Sequence, residues 1–138
     1  STELARCDRQ AIVNAYDNAI LYADAVLGQL IDRLAALPDR DAAMLYLSDH
    51  GESLGEYGMY LHGAPEAIAP REQLHVPMTL WMSEGFVRSD RLDVACLVAA
   101  AAKPASHDNL FSTLLGAFGV QTQVYRRERD LLAACRAH

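Results

Sequence analysis

The sequence has no long apolar run, no basic stripe and no closely spaced cysteine pair, and each absence removes a class of protein. A membrane-spanning helix needs about 20 mostly apolar residues. The longest apolar run here, residues 94–102, is alanine-rich and far shorter. Residues 1–6 combine neither a basic segment nor an apolar one, so no signal peptide is expected there. Lysine is almost missing, with Lys103 alone against eleven arginines, and 12 basic against 18 acidic residues give a net charge of −6. The one basic cluster, Arg126-Arg127 with Arg129, is diluted by Glu128 and Asp130, which argues against nucleic-acid binding. Cys7, Cys96 and Cys135 show no CxxC spacing, which excludes a zinc knuckle. They read either as small buried thiols or as disulfide partners, one of them bonded outside this chain.

What is present is globular. The 138 residues are 51% hydrophobic and 22% charged, enough for one domain with a core. From Asp8 to Leu37, apolar residues recur at three and four: Ile12, Ala15, Tyr16, Ala19, Ala23, Val26, Leu30, Ile31 and Leu34. That spacing predicts an amphipathic helix with Asp8 as N-cap and Pro38 as stop. Residues 42–48 form a short apolar run without alternation, expected to be a strand buried on both faces. A polar, glycine-rich stretch over 49–74 leads to a second expected buried strand at 76–82. Helices are expected over 88–102 and 107–119, the second ended by Gly119, and the tail from Val120 has no clear pattern. The order is α/β, with a parallel sheet expected. Two strands make a poor sheet, so the chain reads as a piece of a domain.

The chemistry concentrates in Ser48-Asp49-His50-Gly51-Glu52-Ser53, directly after the first strand. Ligands of open α/β sheets bind at the carboxyl ends of strands. Asp49 and His50 are adjacent and reach one metal only if the chain bends at once, which Gly51 permits. Carboxylate with imidazole suits Zn²⁺. The plainer alternative is a strand-ending turn with a hydrogen-bonded pair. His62, twelve residues on and before Gly63, suits a second metal or a phosphate contact, or else is a loop histidine bonded to backbone. Glu52 can orient His50 or bond backbone. Asp17, Asn18 and Asp24 on the first helix, and His107 with Asp108 at a helix start, read as capping or solvent-facing groups.

The longer string is more specific. Residues 46–56 (YLSDHGESLGE), then Tyr60-Leu61-His62-Gly63, Ala67 to Pro70, Glu72-Gln73 and Val76-Pro77-Met78, closely resemble the lipid A phosphoethanolamine transferases, which include the mobile colistin-resistance enzymes. Residues 14–18 (NAYDN) and 106–111 (SHDNLF) share the resemblance, which covers about 7–135. It implies that residues 1–138 are the C-terminal portion of a periplasmic catalytic domain with a partial alkaline-phosphatase-like, sulfatase-like α/β fold. The parent would sit in the inner membrane. It would move phosphoethanolamine from phosphatidylethanolamine to lipid A, a lipopolysaccharide modification giving polymyxin resistance. In that pattern Asp49 and His50 match zinc ligands, and His62 matches a histidine near a second metal or the substrate phosphate.

The resemblance also implies what is missing. The family's threonine nucleophile, a glutamate ligand and another histidine lie upstream of the first helix. Thr2, Thr79, Thr113 and Thr122 match no such motif, so the chain alone is expected to be inactive. Glu66 stands where the family commonly has an aromatic. Two rivals remain: transfer to another periplasmic acceptor, such as a core sugar or a glucan, and a non-catalytic module retaining the motif. Cys7 matches a family cysteine bridged to one shortly upstream, so it is expected to be free and exposed here, with Cys96 buried and unpaired.

Overall fold

The computed structural model describes residues 3–137; Thr2 and His138 lie outside them. The chain divides into two compact units, the first built from residues up to 38 with 43–81, the second from 39–42 with those from 82 onward.

The first unit opens with the expected helix, α1 (Arg9–Ala35), whose start is fixed by the Asp8 carboxylate accepting the Ala11 N–H at 3.0 Å. Strands β1 (Ala43–Leu47), β2 (Ser53–Leu54) and β3 (Tyr60–Leu61), helix α2 (Arg71–Leu74) and strand β4 (Met78–Met82) follow. β1 and β4 form one two-stranded sheet, and β2 and β3 form another, antiparallel one. At the flanks of the first sheet, Ser48 N–H bonds Pro77 O at 3.4 Å and Ser83 N–H bonds Ala42 O at 2.8 Å. The end of one strand therefore lies beside the start of the other.

The α/β class is as expected, but these pairings are antiparallel rather than the expected parallel ladder. The reason is the connection: residues 48–77 carry a hairpin and a four-residue helix, not the long crossover helix that parallel neighbours need. Burial on both strand faces is not observed either. In β1 only Met44 is buried, and in β4 Met78 and Leu80 are exposed, because two strands supply too little neighbouring surface. α1 has no buried residue, and Val26 and Leu30 on its apolar stripe are exposed.

In the second unit only α4 (Val94–Ala101) forms from the helix expected over 88–102, and a separate helix not expected from the sequence, α3 (Glu84–Ser89), precedes it. Ser83 Oγ caps α3, while Asp93 starts a new helix by accepting the Cys96 N–H at 3.1 Å. Between them Leu92 pairs with Arg136. α5 (Asp108–Ala117) ends as expected: Gly119 has φ 64°, and Val120 N–H reaches Leu115 O, a Schellman closure that favours glycine.

The unpatterned tail supplies the core of this unit, with Leu132, Ala133 and Cys135 buried. Cys96, expected to be unpaired, is disulfide-bonded to Cys135 with Cα atoms 5.4 Å apart, well within bonding reach. Cys7 is free and exposed, as expected. Arg136 grips the Asp90 carboxylate through Nε at 3.0 Å and Nη2 at 2.6 Å, and reaches Asp130 Oδ2 at 3.5 Å. Asp130 also accepts the Tyr125 hydroxyl at 2.7 Å and the Leu132 N–H at 2.8 Å.

Burial, together with the hydrogen bond and charge of Asp130, pushes the Tyr125 hydroxyl above its usual 10.0. A raised folded value means the stabilisation is complete below pH 10 and is lost as pH rises through the folded value. Urea midpoints from pH 8 to 11 should therefore show an advantage of wild type over Tyr125→Phe that shrinks above pH 10. A constant gap across that range would refute the linkage.

Candidate metal centre

The site is built on the turn after β1. Ser48 Oγ donates to His50 O at 2.8 Å, and His50 N–H donates to Asp49 Oδ1 at 3.2 Å, so both residues are held locally. His50 Nδ1 lies 3.1 Å from Gly51 O. A carbonyl can only accept, so Nδ1 carries the proton and Nε2 keeps its lone pair. That Nε2 is 3.8 Å from Asp49 Oδ2, close to the spacing of two ligands on one tetrahedral ion.

Gly51 is needed for a reason the bend alone does not supply. A Cβ there would land on the Glu72 carbonyl oxygen, because α2 backs directly onto this turn. Gly51 N–H donates to Gln73 O at 2.9 Å across the same contact.

His62 reaches the same place through the β2–β3 hairpin. Its register pairs Ser53 with Leu61, which sets Glu52 opposite His62 as the next pair outward. Leu61 at φ 65° and Gly63 at φ 99° turn the chain on either side of the histidine. His62 Nδ1 donates to Glu52 Oε1 at 2.7 Å, which leaves its Nε2 free as well. The His50 and His62 rings stack with centroids 3.6 Å apart.

Among the described residues, His50, Glu52 and His62 place ligand-capable atoms within 4.8 Å of one another. Asp49 stands beside this group with its side chain 90% exposed. Glu52 thus orients His62, not His50 as considered from the sequence. Its second oxygen, Oε2, is buried without a hydrogen-bond partner. An orphaned buried carboxylate oxygen beside two imidazoles with free Nε2 atoms is a donor set that fits a divalent cation. All four residues are singled out by the sequence; the Glu52–His62 pairing is not, because two-residue strands carry no alternation to read.

Of the other polar residues, Asn109 and Ser106 act at the start of α5: Ser106 Oγ accepts the Asp108 N–H at 3.3 Å, and Asn109 Oδ1 accepts the Ser106 N–H at 2.9 Å. Asp108 pairs with Arg129.

Known proteins share this arrangement of sequence and fold. The phosphoethanolamine transferase EptA of Salmonella typhimurium is 45% identical over 138 residues, covering 99% of this chain and 25% of that protein. The Kdo(2)-lipid A phosphoethanolamine 7''-transferase of Escherichia coli is 34% identical over 117 residues, covering 82% of this chain and 20% of that protein. The chain thus spans about a quarter or less of these relatives. The crystal structure of the soluble domain of lipooligosaccharide phosphoethanolamine transferase A from Neisseria meningitidis superposes with a TM-score of 0.94 at 46% identity. That match covers 100% of this chain and 42% of that domain, or 26% of the same enzyme solved as an integral membrane protein. Among the described residues no helix is long and apolar enough to cross a membrane. The sulfatase family model matches residues 2–120, and the chain belongs to the sulfatase family.

Proposed function

We propose that this chain is part of the periplasmic catalytic domain of a zinc-dependent transferase that moves phosphoethanolamine from phosphatidylethanolamine to lipid A. The parent protein would act at the periplasmic face of the inner membrane, and its product would confer polymyxin resistance. The observation that carries this proposal is the approach of a tautomer-fixed imidazole, His50 Nε2, to Asp49 Oδ2 at 3.8 Å. The names of the relatives, all phosphoethanolamine transferases, supply the substrate class.

In this proposal Asp49 and His50 hold zinc, and His62, steadied by Glu52, takes a second metal or the substrate phosphate. Bound zinc would stabilise charge on the phosphoryl oxygens and make a hydroxyl a better nucleophile. The chain's own part is to supply two adjacent ligands on a braced turn and, at His62, an imidazole that holds a second metal through Nε2 or, when both its nitrogens carry protons, donates to the phosphate. The nucleophile belongs to upstream sequence. Thr113 is buried with Oγ engaged by the Leu131 N–H at 3.0 Å, and Thr122 Oγ accepts the Val124 N–H at 3.5 Å. The rest of the catalytic domain is also the proposed partner for α1, whose Val26 and Leu30 stand exposed on its apolar stripe.

Zinc titration calorimetry of the purified chain should give an affinity of about micromolar or weaker, since a partial ligand set leaves much of the ion to water. Asp49→Ala and His50→Ala should each weaken it further. Equal affinity in both variants and wild type would refute the ligand assignment. Zinc-dependent turnover of a phosphatidylethanolamine analogue by the chain alone, abolished in Asp49→Ala, would refute the upstream nucleophile.

A further inference from the structure

We propose that Gln73 is a positioning residue of this centre, setting the separation of the two arms that carry His50, Glu52 and His62. It rests on the metal site proposed for Asp49, His50 and His62, and concerns a residue that touches none of the ligand atoms.

Gln73 is 6% exposed and sits in α2. Its main-chain carbonyl accepts the Gly51 N–H at 2.9 Å. Its side-chain Nε2 donates to Ser53 Oγ at 2.8 Å, and its Oε1 accepts the Ala64 N–H at 3.2 Å. Gly51 and Ser53 bracket Glu52, and Gly51 directly follows His50. Ala64 is two residues past His62. One buried amide therefore holds both arms, donating to one and accepting from the other.

The chemistry narrows the residue type. A glutamate of the same length offers acceptors only, and a methionine offers the length with neither function. The hairpin itself cannot fix the spacing well, because β2 and β3 share only the pairs Ser53–Leu61 and Leu54–Tyr60. Without Gln73, Ala64 N–H is left unpaired, and the loop carrying His62 loses its tie to the turn carrying His50. Groups that orient ligands without touching the metal typically change its affinity by about 10–100-fold when removed.

The test compares wild type, Gln73→Met, Gln73→Glu and His50→Ala in the whole chain. Zinc affinity is read by competition with a chromophoric chelator. The metal-free His50–His62 ring contact is read by nuclear Overhauser effects. Gln73→Met should keep its circular dichroism spectrum, bind zinc about 10–100-fold more weakly and lose the ring contact. Gln73→Glu should recover part of both, since its carboxylate still accepts from Ala64 N–H and from the Ser53 hydroxyl.

Zinc affinity within twofold of wild type in Gln73→Met, with the rings still in contact, overturns the proposal. If His50→Ala leaves zinc affinity unchanged, the metal assignment fails separately. The ring contact in Gln73→Met then decides alone: its loss supports the positioning role and its retention refutes it. Should Gln73→Met fail to fold, Ser53→Ala removes the amide's partner on one arm only and is read the same way: weaker zinc binding with loss of the ring contact supports the role, and wild-type behaviour in both refutes it.

Discussion

Arg136→Met should destabilise the second unit by about 3–5 kcal/mol, the usual cost of breaking a buried ion pair from one side. Arg136 is 23% exposed, Asp90 22% and Asp130 0%, so Asp130 cannot turn to water for compensation and Asp90 can do so only in part. The bidentate grip on Asp90 and the further bond from Nη2 to Gly116 O at 3.3 Å tie the tail to α3 and α5 at once. Hydrogen bonding to Asp90 also raises the guanidinium's already high pKa, so its charge persists at any ordinary pH. Urea denaturation followed by circular dichroism measures the loss. Adding Asp130→Asn to the same chain should recover part of it, because a neutral amide costs less to leave buried than a carboxylate. A loss below about 1 kcal/mol in the single variant would show that the network is far more hydrated than its burial implies.

Reducing the Cys96–Cys135 bond, or replacing both residues with alanine, should lower stability by about 4 kcal/mol. The bridge closes a sequence separation of 39 residues, and the chain-entropy relation for a loop of that size gives this magnitude. Because Cys7 is free, reductant acts on this single bridge. Matched urea curves with and without reductant would test it, and coincident midpoints would refute it. The two losses should not add. Cys135 and Arg136 are neighbours on one tail, so the released tail of the reduced protein has already given up most of the Arg136 contacts. An oxidising compartment, as proposed for the parent protein, would keep the bridge closed.

Much of the first unit was legible in the sequence because its signals are local. The spacing of Ile12, Tyr16, Ala23 and Leu34, with Asp8 ahead and Pro38 behind, is enough to place α1 within two residues of its observed ends. The apolar runs that became β1 and β4 were equally plain. Asp49 and His50 stood out because a carboxylate, an imidazole and a glycine directly after a strand are a local pattern.

What the sequence determined by itself was therefore α1, the runs of β1 and β4, α5 and the candidate ligands; the short elements between them, and which residues meet, only tertiary structure decided. The late start of α4 at Val94 goes with Asp93 as its cap and with Leu92 pairing with Arg136 just ahead of it. The Cys96–Cys135 bridge depended on a patternless tail folding back, which no local spacing reports. Glu52 met His62 through the register of a two-pair hairpin, and Gln73 joined that hairpin to the Gly51 turn by bonds spanning nine to twenty-two residues. Each of these is a contact between positions distant in the chain. Its free energy exists only once the backbone between them has been ordered, so residue spacing alone carries no trace of it.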